Sequence, residues 1–284
     1  MTEPRPAAAT RARRVPRRLG STLIALVILA VLLFPVYWMV NASFFTSAQV
    51  LSVDPPLMPW SGTLDGYRQA LESQGPNLLT SIAVATGTVV LTLAIAIPAG
   101  YALARFRVPG AGIVLFAIMV VQMVPNIVLA NSLFDILSSI GLFDTYVALV
   151  LADSTLAIPF AIIVLRAFML GIPGEVIESA QLDGAGYLRT LTRVVAPMSR
   201  NAIITAGLFT FLFAWGDFLF GVTLTSGQGL VPVTVGIYQF IGTQVSEWNA
   251  ILATAVLASI PAAILLVVAQ RYIAAGVTGG AMKE

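Results

Sequence analysis

The run SQGPNLLTSIAVATGTVVLTLAIAIPAGYALA, residues 73–104, holds 32 consecutive positions without Asp, Glu, Lys or Arg. A helix needs about 20 apolar residues to cross the ~30 Å hydrocarbon core of a bilayer, so this run is long enough to span one. It is apolar continuously, whereas a barrel strand alternates over about 10 residues, so a helix is the expected form. Measured the same way, charge-free runs cover 19–53 (35 positions), 108–134 (27) and 248–270 (23). Two more are interrupted once each, 145–165 (21) by Asp153 and 201–246 (46) by Asp217. The pattern predicts an all-α polytopic membrane protein with six transmembrane helices, at 19–41, 78–104, 111–134, 146–166, 202–223 and 250–270.

Composition agrees. Of 284 residues, 58% are hydrophobic and 10% charged, against about 25% charged in an ordinary soluble domain. Such a chain cannot clothe a globule in polar surface, and a soluble fold is excluded. The chain has no Cys and no His. That removes disulfides, Cys/His metal sites, thiol nucleophiles and any imidazole base, so no catalytic residue and no metal site is expected. A net charge of +2 is too small to point to nucleic acid.

The basic residues set the expected orientation, because cytoplasmic loops carry the excess of Lys and Arg. With the N-terminus inside, fourteen of the fifteen fall on the cytoplasmic side and Arg68 alone outside. Both termini are then cytoplasmic. Residues 1–18 read as a disordered cytoplasmic tail whose arginines can touch anionic lipid. The membrane domain covers 19–271, and 272–284 is a cytoplasmic C-terminal tail. The apolar run 19–40 exceeds the 7–15 residues of a signal-peptide core and is read as a retained anchor. The segment 42–77 is read as a long outer loop, with Pro55, Pro56, Pro59 and Gly62 marking turns.

A second long loop, 167–200, is too polar to span. Pro173 suits the first turn of a helix, with Glu175 and Glu178 near its positive end. That helix is expected to run to about Leu182 and stop at Asp183-Gly184, where glycine takes the left-handed conformation of a C-terminal cap. A second helix is expected from Tyr187 to Ala196, with Leu188, Leu191 and Val195 on one face and Arg189 and Arg193 on another. Two short helices projecting from a membrane suit docking in a groove of a soluble partner, or resting on the lipid surface.

Here the sequence resembles the inner-membrane permease subunits of binding-protein-dependent ABC importers, in the sugar branch typified by the smaller maltose permease subunit. Glu178-Ser179-Ala180, then Gly184 preceded by Asp183 and followed by Ala185, then Val195-Ala196-Pro197, fit the family's coupling-loop pattern, with Ser179 replacing an alanine. Asn201 stands where many sugar permeases have a second proline. Further matching stretches are GYALARFRVPG at 100–110, GLFDTY at 141–146, LRAF at 165–168 with Ile172-Pro173, FAWGDF at 213–218 and AGVTGGAMK at 275–283. The resemblance covers essentially the whole chain.

What the resemblance implies is a transport subunit forming half of an alternating-access pathway for a disaccharide, oligosaccharide or related solute. Glu178, Ser179, Ala180, Asp183, Gly184, Ala185 and Pro197 would couple it to an ATPase. The chain has no Gly-x-x-x-x-Gly-Lys-Ser/Thr loop and one lysine, Lys283, so it has no phosphate cradle of its own. The resemblance therefore implies two separate P-loop ATPase subunits carrying ATP and Mg, a homologous second permease and an extracytoplasmic solute-binding protein, assembled in a bacterial inner membrane. This chain itself would bind no cofactor.

Asp153 and Asp217 sit within apolar runs. A carboxylate at mid-membrane costs about 2.5–3.5 kcal/mol on insertion scales, so each should face a cavity, a protein partner or the hydrated interface. With Trp215 they are candidate pathway-lining residues. Pro98, Pro125 and Pro159 fall within spans, where they kink helices or simply reflect proline's frequency in membrane helices. The competing reading is an ATP-independent secondary transporter or channel, but such a protein needs an ion-coupling site and no base lies within a span. Reporter fusions after Arg107, Arg193 and Lys283 should report cytoplasm, and fusions near Asp65 and Gln228 the outside. A cytoplasmic signal at Asp65 would overturn the six-span arrangement.

Overall fold

In hydrocarbon every backbone N–H and C=O must find a partner within the protein, which turns long apolar runs into helices. The computed structural model describes residues 16–60, 62–243 and 247–281 and is helical throughout its membrane-length segments. Four helices among them are long and apolar enough to cross a bilayer: α1 (Pro16–Ala42), α3 (Asp65–Arg105), α6 (Tyr146–Leu170) and α13 (Trp248–Ala281). Two further runs are bent pairs, which bring the number to six when each is counted as one span.

The first bent pair corrects the expected helix at 111–134. The chain forms α4 (Ala111–Val121), breaks, and restarts as α5 (Asn126–Ser139) at 97°. Pro125 is the cause, since it has no N–H to give to the preceding turn and stands as the N-cap of α5. Pro98 and Pro159, by contrast, lie inside continuous helices. The expected span 202–223 is likewise divided, into α10 (Arg200–Gly216) and the short α11 (Leu219–Leu224), with extended backbone at Asp217 between them. A short helix α12 (Val233–Thr243) follows.

Hydropathy also misplaced polar helix ends. The helix expected to begin at 78 begins at Asp65, so part of the supposed outer loop is helical. Its first turns are polar but well suited to a helix: Asp65 lies at the positive end, and Arg68 Nε donates to Glu72 Oε1 at 2.9 Å one turn on. A one-turn helix α2 (Ser47–Val50) precedes it, closed by a Thr46–Gln49 capping box. At the far end, α13 continues helical to Ala281, through most of the segment expected to be a tail. The expected tail 1–18 lies almost entirely outside the described residues.

Helix α3 is the axis of the bundle and packs most extensively on α6, then on α10 and α13. Lipid tails are as apolar as leucine, so membrane helices associate through close packing of small residues. Ala85, Ala96, Ala148, Ala152, Ala157, Ala161, Ala202 and Ala206 are all fully buried. Gly100, in the charge-free run 73–104, shows how close the approach is. A Cβ placed there would sit 3.2 Å from Arg166 N and from Leu165 Cβ on α6. Gly100→Val should therefore overpack the α3–α6 seam by about 1–3 kcal/mol, read as a lower unfolding temperature of the detergent-solubilised protein. An unchanged unfolding temperature would mean the seam is not close-packed.

Candidate functional site

Two regions collect the residues the sequence singled out: the loop between α6 and α10, and a cavity among the broken helices.

The loop forms α7 (Gly174–Leu182), then α8 (Tyr187–Thr190), which passes through a π turn at Leu191–Val195 into α9 (Ala196–Met198). Pro173 is the N-cap of α7. At its other end Gly184 has φ +81°, its N–H donates to Gln181 O at 3.0 Å, and the Ala185 N–H donates to Ala180 O at 3.0 Å. These two bonds are a Schellman motif, and they fix the angle between α7 and α8. The segment Tyr187–Met198 meets α10 at 81°, with exposed Pro197 just before the corner.

One side of the loop is buried against the span ends. Ile177, Leu191 and Val195 join Tyr101, Leu165, Met169 and Ile172 in one apolar cluster. Leu188 was expected on that face but is 75% exposed. The π turn accounts for this, because its wider winding moves residues after Thr190 out of the α-helical register that Leu188 shares. Also uncovered are Leu182 and Tyr187, alongside Glu178, Ser179, Asp183 and Gly184. Ala180 and Ala185 are half-buried.

The fastening of the loop to the spans was not read from the sequence. Arg105, at the last turn of α3, donates to Met169 O at 2.5 Å and to Ile172 O, so it satisfies carbonyls orphaned at the end of α6. Arg166 of α6 returns the bond, its Nε donating to Leu103 O at 3.2 Å. Phe106 stands edge-on between Tyr101 and Tyr187, centroids 5.4 and 5.1 Å away, and links α3 to α8. A cavity of about 300 Å³ beside these rings is lined by Arg105, Glu178 and Gln181 among others.

The second region is a cavity of about 470 Å³ lined by Gln122 and Asn126 from the α4–α5 break, Asp153, Leu156 and Phe160 from α6, and Phe213 and Gly216 to Phe220 around the α10–α11 break. The structure thus brings Asp153 and Asp217 to one space, although 64 positions separate them in the chain. They are not equivalent. Asp217 Oδ2 accepts the Gly221 N–H at 3.0 Å, and Asp217 O accepts Thr234 Oγ1 at 2.5 Å, so this residue pins α11 and α12 to the end of α10. Asp153 is 93% buried, yet among the described residues no hydrogen-bond donor meets its carboxylate. Phe160 stands edge-on to Phe213, centroids 5.6 Å apart, as an apolar wall.

Trp215 is not part of this cavity. It is buried, stacks on Phe211 at 5.6 Å, and its Nε1–H donates to Ala258 O of α13 at 3.0 Å. Its indole packs α10 to α13, so of the three candidates it is the one this cavity does not include. Gln122, Asn126, Phe160 and Phe213 were missed. The one available signal was a pair of amides flanking Pro125 inside an apolar run. No group of three or more acidic residues capable of holding a metal occurs among the described residues.

The family model described as "Binding-protein-dependent transport system inner membrane component" matches residues 96–279. The trehalose transport system permease protein SugB of Mycobacterium tuberculosis is 34% identical over 255 residues, covering 88% of this chain and 92% of that one. The sulfoquinovosyl glycerol transport system permease protein SmoH of Agrobacterium fabrum is 32% identical, covering 88% and 89%. A solved bacterial ABC transporter for import of the acidic polysaccharide alginate has a chain that superposes with a TM-score of 0.77 at 21% identity, covering 94% of this chain and 99% of that one. That likeness shows the fold. Arg105→Ala should remove about 1.5–3 kcal/mol of charge-assisted hydrogen bonding at the loop's root. Trypsin should then cleave at Arg189 and Arg193 severalfold faster in detergent, with insertion unchanged. Equal cleavage would mean the apolar contacts alone hold the loop.

Proposed function

The chain belongs to the binding-protein-dependent transport system inner membrane components, and we propose that it is a sugar-importing permease subunit coupled to ATPases on separate chains. In this reading it forms half of an alternating-access pathway with a homologous permease. An extracytoplasmic solute-binding protein delivers the cargo, and two P-loop ATPase subunits bind ATP and Mg. The names of its relatives, transporters of trehalose and sulfoquinovosyl glycerol, support carbohydrate as cargo. Both termini and the α7–α9 loop lie in the cytoplasm, as the distribution of arginine favours.

The observation that carries the coupling role is the form of the α7–α8 corner. A helix pair set at a fixed angle by Gly184 keys one face into the ends of α3 and α6 through Ile177, Leu191 and Val195. It leaves Glu178, Ser179, Asp183 and the apolar side chains of Leu182, Tyr187 and Leu188 uncovered. That combination fits a helix-in-groove contact with a soluble partner, and the rigid root converts the partner's movement into displacement of the spans. A secondary transporter has no use for such a surface.

Gly184 supplies the test. No atom lies within 4 Å of where its Cβ would stand, so substitution there acts on backbone conformation alone. A β-branched residue at positive φ costs roughly 1–2 kcal/mol, while asparagine tolerates it. Gly184→Val, and separately Glu178→Lys, should abolish ATP-driven uptake in reconstituted vesicles, with the ATPase released or no longer stimulated by loaded binding protein. Gly184→Asn should retain most activity. Full uptake by both damaging variants would mean the loop merely rests on lipid.

A further inference from the structure

We infer that Asp153 determines which sugars this permease passes: its carboxylate accepts hydrogens from the hydroxyl or ammonium groups of a neutral or amino-bearing sugar and bars anionic ones. The inference rests on the reading that the 470 Å³ cavity lies on the solute's route.

The carboxylate lines that cavity, is 93% buried, and has no donor among the described residues. Neighbouring hydroxyls are already committed, Ser154 Oγ to Val150 O at 2.6 Å and Thr155 Oγ1 to Ala152 O at 2.6 Å. No Lys or Arg is among the residues lining the space, whose other polar side chains are the neutral amides of Gln122 and Asn126 and the carboxylate of Asp217. Asp217 already receives the Gly221 N–H, so part of its charge is met by fixed backbone. Asp153 is the unmet one. Its oxygens open on the cavity, where water or a ligand can supply the hydrogen that the protein does not. In its ionised form the group is an acceptor only, so what completes it must be a donor. Sugar hydroxyls and ammonium groups are donors, and a second carboxylate, sulfonate or phosphate is not. Phe160 and Phe213 offer an apolar wall for the C–H side of a sugar ring, while the cavity volume falls in the range of small-molecule sites.

The chain's lack of cysteine permits a direct test in the assembled transporter. Leu156 lines the same cavity one turn along α6, and Leu156→Cys places a single thiol there. During ATP turnover in vesicles the thiol is treated with a cationic trimethylammonium-ethyl methanethiosulfonate and an anionic sulfonatoethyl methanethiosulfonate, and modification of this chain is followed by mass. Each rate is normalised to that with a free thiol. The cation-to-anion ratio should exceed one and fall roughly tenfold when Asp153→Asn is added, the scale on which one-signed clefts concentrate counter-ions. Asp217→Asn should lower it less. A ratio that Asp153→Asn leaves unchanged overturns the inference while leaving the cavity on the route. A thiol that neither reagent reaches at any stage of turnover overturns both.

Discussion

Hydrocarbon does not tolerate unpaired backbone, so a membrane helix can stop inside the bilayer only where protein or a water-filled space takes over its hydrogen bonding. Among the described residues, the chain breaks its helices at 122–125 and at 217–218, within long apolar runs. Both breaks border the same cavity. The cavity and the breaks are therefore one feature. Asp217 shows the compensation at atomic scale, its carboxylate taking an N–H at the start of α11 and its carbonyl taking the Thr234 hydroxyl. Removing the cavity would leave these ends of helix without a reason to exist.

The cavity and the loop are connected through a single continuous helix. Helix α6 carries Asp153 near one end and ends at Leu170, beside the carbonyls that Arg105 holds. At 1.5 Å per residue the sixteen positions from Asp153 to Met169 span about 24 Å. In the proposed cycle, a push on α7 and α8 reaches the cavity wall along this one continuous helix. The reciprocal bonds of Arg105 and Arg166 make α3 move with it.

The spans, their number of charge-free runs and the helical corner at Gly184 were legible because each depends on local chemistry: hydropathy over about 20 residues, or one glycine at positive φ. The positions of helix ends were less so. Residues 65–77 form helix through a first-turn Asp65 and an Arg68–Glu72 pair, which hydropathy counts against a span. The site was only half legible. Asp153 and Asp217 stood out as acids in apolar runs, but their relative roles depend on which one a backbone N–H reaches, and that is settled by the α10–α11 break. Trp215 looked like a pathway residue by its neighbours in sequence, and the helix turns it 100° from Gly216 toward Ala258 instead. The bonds of Arg105 and Arg166 were not legible, since nothing local reveals that α3 and α6 end side by side.

One more contact limits how the cavity can open. Asp144, in the turn before α6, takes φ +60°, a conformation uncommon for a non-glycine residue. Its N–H donates to Leu224 O at 3.0 Å, and its carboxylate accepts the N–H and the hydroxyl of Ser226 at 3.1 and 2.6 Å. The start of α6 is thereby fastened to the far end of α11, whose near end holds Asp217. The α6 and α11 walls of the cavity, with their two carboxylates, are thus clamped together within this chain. Parting these walls would break all three of these bonds. In the proposed assembly the opening comes from displacement of this chain as a body against its partner permease, and that is the motion a loop rooted in the ends of α3 and α6 is built to drive.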